Sequence, residues 1–93
     1  MPPAHPAESA QSKQSARYAK LRKLLVAARN DSGVTQLELA EDLGVTQSYV
    51  SKLERGALEI GIDEFLKITR ALDLDPLDIL GQAIGRRPPA VDG

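Results

Sequence analysis

Hydrophobic residues recur along this chain at the 3.6-residue spacing of helices, with no run that alternates in the manner of a strand. The first such segment is predicted to run from about Ser15 to Asn30, and its apolar face consists of Tyr18, Leu21, Leu24, Leu25 and Ala28. Asp31–Gly33 should stop it, because Gly33 accepts a left-handed backbone without penalty. The chain is therefore expected to begin its folded part with one amphipathic helix.

Two short helices separated by a glycine should follow. Residues 35–38 form a capping box, so the second helix is predicted to begin at Thr35 as cap and to end near Leu43, before Gly44. Thr46 is the predicted N-cap of a third helix, which should end at Arg55. This spacing is typical of a helix-turn-helix.

The residue types in this segment suit two crossed helices. A crossing at about 90–120° needs a small residue at closest approach, and Ala40 is small; the turn needs a positive φ, which Gly44 allows. Val50 and Leu53 lie three apart and should be buried together. Polar residues then point outward from the third helix, namely Gln47, Ser48, Ser51, Lys52 and Arg55. Such a face suits the DNA major groove.

Two more helices complete the predicted all-α fold. The fourth should span about Ile62 to Leu72, with Ile62, Phe65, Leu66 and Thr69 facing inward. The fifth should have Asp75 as N-cap, Pro76 at its first position and Gly81 at its end, and its apolar residues are Leu77, Ile79 and Leu80. Helices this short are marginal alone, so all five are expected to share one core.

The flanks of this unit have a different composition. Residues 1–14 are rich in Pro, Ala and Ser and are expected to form a disordered N-terminal arm. Residues 15–81 should form the folded domain, and 82–93 a flexible C-terminal tail. His5 is the only histidine and stands in the arm without partner ligands, so no metal site is predicted.

Charge is unevenly distributed along the chain. The net charge of −1 counts against a DNA-binding domain that relies on its overall field. However, Ser9–Asn30 contains six basic residues and no acid, whereas Glu59–Leu80 contains six acids against Lys67 and Arg70. Two interpretations remain open: ordinary solvated helix faces, or a basic side that faces phosphate and an acidic side that faces away.

Several classes of protein are not favoured. The 93 residues allow one small domain, and without cysteine there are neither disulfides nor thiolate metal sites, which fits a reducing cytoplasm. The longest apolar run, Leu24–Ala28, is too short for a membrane span. With no glycine-rich phosphate loop and no catalytic constellation, we expect neither an enzyme nor a cofactor.

The motif and its flanking helices resemble the phage-repressor and Cro-like (Xre-like) helix-turn-helix family. The resemblance covers roughly Tyr18 to Leu80 and rests on residues in the right order: Arg29, Thr35, Gln36, Ala40, Gly44, Gln47 and Ser51-Lys52-Leu53-Glu54-Arg55-Gly56. It implies a compact five-helix, lambda-repressor-like DNA-binding domain. The third helix would be its recognition helix.

The resemblance also implies roles for single residues. Gln47 would read an adenine, because its carboxamide pairs one acceptor and one donor with N6 and N7. Ser48 and Lys52 would be further base-edge candidates, although Lys52 reaches phosphate as easily. Ser51 would contact base or sugar, and Thr46 is more a cap than a reader.

Four further positions receive roles from the same resemblance. Gln36, at the start of the second helix, would approach a phosphate and brace Gln47. Arg55 would lie near phosphate. Arg29 and Glu54 would form a buried structural ion pair instead of touching DNA.

The loop after the third helix departs from the family pattern. Phage relatives often place basic residues there, but this loop, 57–61, contains the acidic Glu59 and no basic residue. Leu58 and Ile60 would either form a small exposed apolar patch or pack under the fourth helix.

The expected function is a sequence-specific DNA-binding transcriptional regulator, as a repressor or autoregulator. It should bind double-stranded DNA at a palindromic operator as a homodimer, with contacts from the fifth helix (Leu77, Ile79, Leu80) by resemblance. The alternative is an antitoxin or antiactivator that acts by holding a protein partner, which the low net charge and acidic loop would favour.

Overall fold

The computed structural model of the chain describes residues 15–85 and contains five helices and no strand within that range. They are α1 (Ala16–Asp31), α2 (Gln36–Leu43), α3 (Gln47–Glu54), α4 (Ile62–Ala71) and α5 (Pro76–Ala83). This architecture confirms the predicted all-α class. The predicted arm with His5 and Lys13, and residues 86–93 of the predicted tail, lie outside the described residues.

Capping groups fix the helix starts at the predicted positions. The Thr35 hydroxyl accepts the Glu38 N–H at 3.0 Å, and the Thr35 N–H donates to the Glu38 carboxylate at 2.9 Å, which completes the capping box. The Thr46 hydroxyl accepts the Tyr49 N–H at 3.1 Å. Asp75 caps α5 through the Leu77 N–H, with Pro76 at the first position. Local sequence therefore sets where α2, α3 and α5 begin.

A single hydrophobic core joins all five helices. Every helix contributes at least one of its buried members, which are Leu25, Leu39, Ala40, Val50, Leu53, Phe65, Ile68, Leu72 and Ile79. Ala40 is 1% exposed. Gly44 turns the chain between α2 and α3 with a φ of 72°, so the turn contains the left-handed glycine that the sequence indicated.

The buried face of α4 differs from the prediction. Ile62 is 68% exposed and Leu66 46%, whereas Phe65, Ile68 and Thr69 are buried. The prediction that Ile62 and Leu66 face inward was wrong. Their four-residue spacing puts them on one face of the helix, but it does not determine whether that face turns toward the core. In the structure, α4 is rotated about its axis so that Phe65 and Ile68 both enter the core.

The end of α5 also differs from the prediction. Gly81 does not stop the helix, which continues to Ala83, and Ala83 is itself buried. The left-handed glycine is Gly85, with a φ of 75°. A glycine can remain helical where burial of the residues beyond it holds the turn. Within residues 15–85, none of the helices has the length and apolar composition needed to cross a bilayer.

Candidate nucleic-acid interface

The recognition-helix candidate α3 has one buried face and one open face. Val50 and Leu53 are 2% and 1% exposed and anchor the helix in the core. The opposite face is exposed at Gln47, Ser48, Lys52 and Arg55, while Ser51 is half-buried at its edge. The structure thus leaves the predicted outer surface of α3 accessible on the protomer.

The outward side chains of α3 form two groups: some make hydrogen bonds within the protomer, and others make none within residues 15–85. Gln47, Ser48 and Lys52 make no side-chain hydrogen bond within residues 15–85, so their polar groups are available to a ligand. Arg55 donates from Nη1 to the Ser51 hydroxyl at 3.0 Å, which aligns both residues along the helix. The Thr46 hydroxyl is occupied as the cap of α3.

Gln36 lies at the first position of α2 but does not brace Gln47. Its Nε2 donates to the Glu54 carboxylate at 2.9 Å, so the expected Gln36–Gln47 contact is not present. The half-buried side chain instead ties the start of α2 to the end of α3. Its carboxamide oxygen and the N-terminal amides of α2 are not used by this bond.

The expected ion pair between Arg29 and Glu54 is present and bidentate. Arg29, 8% exposed, donates from Nε to one carboxylate oxygen at 2.5 Å and from Nη2 to the other at 2.9 Å. Its Nη1 donates to the Val34 carbonyl at 2.7 Å. With Gln36, the Glu54 carboxylate therefore joins α1, α2 and α3, and Arg29 attaches the loop before α2 to the same junction.

Arg22 is a second α1 arginine at the same place, and its individual role was not predicted from the sequence. Its Nη1 donates to the main-chain carbonyl of Glu54 at 3.1 Å. Its guanidinium covers Gly56, where a Cβ would come within 3.2 Å of the Arg22 Cζ. The seven-residue interval between Arg22 and Arg29 places both on one face of α1, the only signal in the sequence that links them.

The loop after α3 is held by α1 as well. The Tyr18 hydroxyl accepts the Ile60 N–H at 2.6 Å, and Ile60 packs against the core. Leu58 is 37% exposed and Glu59 is exposed. Ile60 is therefore packed inward and does not form an exposed apolar patch, and the Glu59 side chain faces solvent.

Tyr49 lies on the inner side of α3, near Glu64 of α4. The ring is half-buried against the core. Burial, together with the nearby Glu64 carboxylate, raises the pKa of the Tyr49 hydroxyl above its ordinary value of 10.0.

Exposed basic side chains lie on α1 and α3, and also on α4 at Lys67 and Arg70. Arg17, Lys20 and Lys23 are exposed along α1, which the Arg22 and Arg29 contacts attach to the end of α3. Lys52 and Arg55 add positive charge on α3 itself. No group of three or more potential metal-ligating side chains occurs within the described residues.

Comparison with known proteins gives consistent matches. A helix-turn-helix family model matches residues 25–79. The chain is 43% identical over 51 residues to the uncharacterized HTH-type transcriptional regulator y4dL of Sinorhizobium fredii, an alignment that covers 55% of this chain and 26% of that protein. It is 31% identical over 61 residues to control protein C.BamHI of Bacillus amyloliquefaciens, covering 66% and 72% of the two chains.

A solved structure agrees with these relatives. An XRE-family like protein from Pseudomonas syringae pv. tomato superimposes with a TM-score of 0.75 at 36% identity, covering 86% of this chain and 98% of the other. The chain spans about a quarter of the length of y4dL and 72% of the length of C.BamHI.

Proposed function

The chain belongs to the XRE-type helix-turn-helix family, and we propose that it is a sequence-specific DNA-binding transcriptional regulator, a repressor or autoregulator that acts in the cytoplasm. The observation that carries the proposal is the outer face of α3, where Gln47, Ser48 and Lys52 are exposed and make no side-chain hydrogen bonds within the described range. An α-helix fits the major groove, and these side-chain types match base edges.

Gln47 is the principal reader in this proposal. It is the first residue of α3, at the end that enters the groove in helix-turn-helix proteins. Its carboxamide can pair with adenine N6 and N7 at once. Ser48 and Lys52 follow on the same face, and Lys52 is assigned either to a guanine edge or to a phosphate.

Phosphate contacts would position this helix. Gln36 stands at the N-terminus of α2, where unpaired amides and the helix dipole favour an anion. Arg55, at the far end of α3, would lie near a phosphate, and Ser51, which accepts a hydrogen bond from Arg55, would contact base or sugar. The basic residues of α1 supply the positive charge that loop 57–61 lacks.

Two copies are required for a specific site. A single small module contacts few base pairs, so a homodimer on a near-palindromic operator supplies the remaining affinity. Two recognition helices must then lie about 34–36 Å apart on one face of the duplex. The fifth helix is the proposed contact between the two copies. Ile79 is only 6% exposed and cannot reach a second copy, whereas Leu77 is 75% exposed.

A mobility-shift assay on a selected operator tests the role of Gln47. Gln47→Ala should lose preference at one base position per half-site, which for one bidentate pair corresponds to about 1–3 kcal/mol. The variant should retain its helical circular dichroism, because Gln47 is exposed and its side chain makes no hydrogen bond within residues 15–85. Gln82→Ala, at an exposed glutamine of α5, is the matched control and should bind like the wild type. Unchanged base preference in Gln47→Ala would refute the assignment.

A protein-binding role as antitoxin or antiactivator is the second candidate. Exposed Glu59 beside the recognition helix and the net charge of −1 favour it. The salt dependence of DNA binding distinguishes the two functions, because an affinity that depends on phosphate contacts falls steeply as the salt concentration rises. DNA binding that is absent or insensitive to salt, together with a stoichiometric protein partner, would favour this second function.

A further inference from the structure

Glu59 is an acidic residue without a partner beside the end of the recognition-helix candidate α3. It lies in the loop 57–61, its side chain is exposed, and it makes no hydrogen bond or ion pair within residues 15–85. An exposed acid of this kind contributes little to stability. Its negative charge is therefore available to act on a ligand of α3.

Hydrogen bonds on both sides hold Glu59 at this place. The N–H groups of residues 57 and 58 donate to the Lys52 carbonyl of α3, at 2.9 and 3.2 Å. On the other side, the Ile60 N–H donates to the Tyr18 hydroxyl at 2.6 Å, and Ile60 packs against the core. The loop is thereby attached to both α3 and α1, and Glu59 is kept in solvent at the C-terminal end of α3.

The same end of α3 carries the cations assigned to DNA. Arg55 is the C-cap residue of α3 and Lys52 lies in its last turn, and both are exposed. Because the Lys52 carbonyl accepts a hydrogen bond from the residue next to Glu59, the charge of Glu59 lies close to this end of the helix. Charges at the surface interact over a Debye length, about 8–10 Å at physiological salt. A phosphate held by Arg55 would therefore lie within the range of the Glu59 charge.

We infer that Glu59 repels the phosphate backbone of bound DNA and so lowers the affinity of the domain for every duplex, without changing the bases that it prefers. The inference rests on the proposed function, because it requires the outer face of α3 to lie against DNA. Backbone contacts carry no direct sequence information, so the repulsion weakens binding to operator and unrelated DNA by the same factor. At a given protein concentration, only duplexes that add base contacts, such as those of Gln47, are then occupied.

A different role for the same carboxylate would have the opposite sign. A glutamate can accept a hydrogen bond from cytosine N4 and so attract one base. The position of Glu59 favours repulsion, because it follows the C-terminal end of α3, whereas the N-terminal residues of a recognition helix approach the base edges. Removal of the charge would weaken binding if Glu59 attracted a cytosine, and it would tighten binding if Glu59 repelled phosphate.

Fluorescence anisotropy of the full chain with two labelled duplexes of equal length, a selected operator and an unrelated sequence, tests the inference. Glu59→Gln should tighten binding to both duplexes by the same factor, roughly fivefold at about 0.1 M salt, because one negative charge is removed near phosphate. Glu59→Lys should tighten both further. It should also steepen the dependence of log affinity on log salt by about 0.9, the value for one more neutralised phosphate.

Asp73→Asn is the matched control. It also removes one negative charge from an exposed acid, but Asp73 follows the C-terminal end of α4, whereas the loop with Glu59 precedes the N-terminal end. The 10 residues of α4 separate the two acids by about 15 Å, which is more than a Debye length. The φ of Asp73 is 59°, a conformation that asparagine also accepts. This variant should leave both affinities within about twofold of wild type.

All three variants should retain the wild-type circular dichroism, because each changes an exposed side chain. Four results would overturn the inference: unchanged affinity of Glu59→Gln for both duplexes, weaker binding by that variant, a gain confined to one duplex, or an equal gain in Asp73→Asn.

The outcomes remain distinct from those of the proposed function. A wild-type chain that prefers the operator, with Glu59→Gln unchanged on both duplexes, refutes the role of Glu59 and leaves DNA recognition standing. A wild-type chain without sequence preference, with Glu59→Gln tighter on both duplexes, refutes the proposed function and leaves the repulsion standing. Absence of DNA binding by the wild type and by both Glu59 variants would refute both.

Discussion

Arg29 of α1 and Glu54 of α3 form a bidentate ion pair, and Gln36 of α2 donates to the same carboxylate at 2.9 Å. Both charged side chains are largely shielded, with 10% and 15% of their surfaces exposed. One carboxylate thus holds the helix-turn-helix against α1. The orientation of the outer face of α3 depends on this junction.

Removing Arg29 should destabilise the whole domain. Arg29→Met leaves the Glu54 carboxylate shielded without its main partner, and we expect the free energy of unfolding to fall by about 3–5 kcal/mol. Urea denaturation followed by circular dichroism measures it. The double variant Arg29→Met/Glu54→Met should recover part of the loss, because no unpaired charge remains. A loss below about 1 kcal/mol in the single variant would show that the pair is solvated like a surface bridge.

Arg22 should stabilise the end of α3 by a smaller amount. Arg22→Met keeps an apolar stem over Gly56 but removes the hydrogen bond to the Glu54 carbonyl, so the free energy of unfolding should fall by roughly 1.5 kcal/mol. Lys23→Met, at the adjacent exposed position, should change it by less than about 0.5 kcal/mol. Equal effects in chemical denaturation of the two variants would mean that the Arg22 contact adds nothing.

Gly44 should be replaceable only by residues that tolerate a left-handed backbone. A Cβ at this position meets no atom within 4 Å, so any cost comes from the φ of 72° and not from a clash. Gly44→Ala should therefore cost about 1–2 kcal/mol, and Gly44→Asn less, since Asn visits this conformation routinely. Thermal or urea unfolding ranks the two; an alanine variant as stable as the wild type would rule out this conformation in solution.

The Tyr49 hydroxyl should titrate above its ordinary pKa of 10.0. In a Tyr18→Phe background, phenolate absorbance reports Tyr49 alone, and Glu64→Gln should lower its pKa by removing the neighbouring negative charge. Because the folded state holds this proton more tightly than the unfolded state, its stabilisation is complete below pH 10 and is lost as pH rises through the folded pKa. An unchanged pKa in Glu64→Gln would contradict the assigned cause.

Local signals predicted most of the fold. The caps Thr35, Thr46 and Asp75 and the turn residue Gly44 act within three residues of themselves, so their roles can be inferred without tertiary information. The errors lie where packing decides. Ile62 and Leu66 have no local feature that fixes the phase of α4, and Gly81 stays helical because the buried Ala83 follows it.

In the candidate site, too, some features were predicted from local sequence and others depend on tertiary contacts. The outward face of α3 follows from helical spacing once Val50 and Leu53 are placed inside. The partners of Gln36, Arg22 and Tyr18 lie 18, 32 and 42 residues away in the chain, and no local pattern indicates such contacts. Resemblance to the family predicted the Arg29–Glu54 pair, but it did not predict that Gln36 would join it.

Selection of binding sites from random double-stranded DNA tests most directly whether the outer face of α3 reads base edges. We expect an inverted repeat with half-site centres about 10–10.5 base pairs apart, and Gln47→Ala should lose one adenine-containing position from each half while the spacing is kept. Recovery of no enriched sequence, or of the same sequence with both proteins, would contradict it.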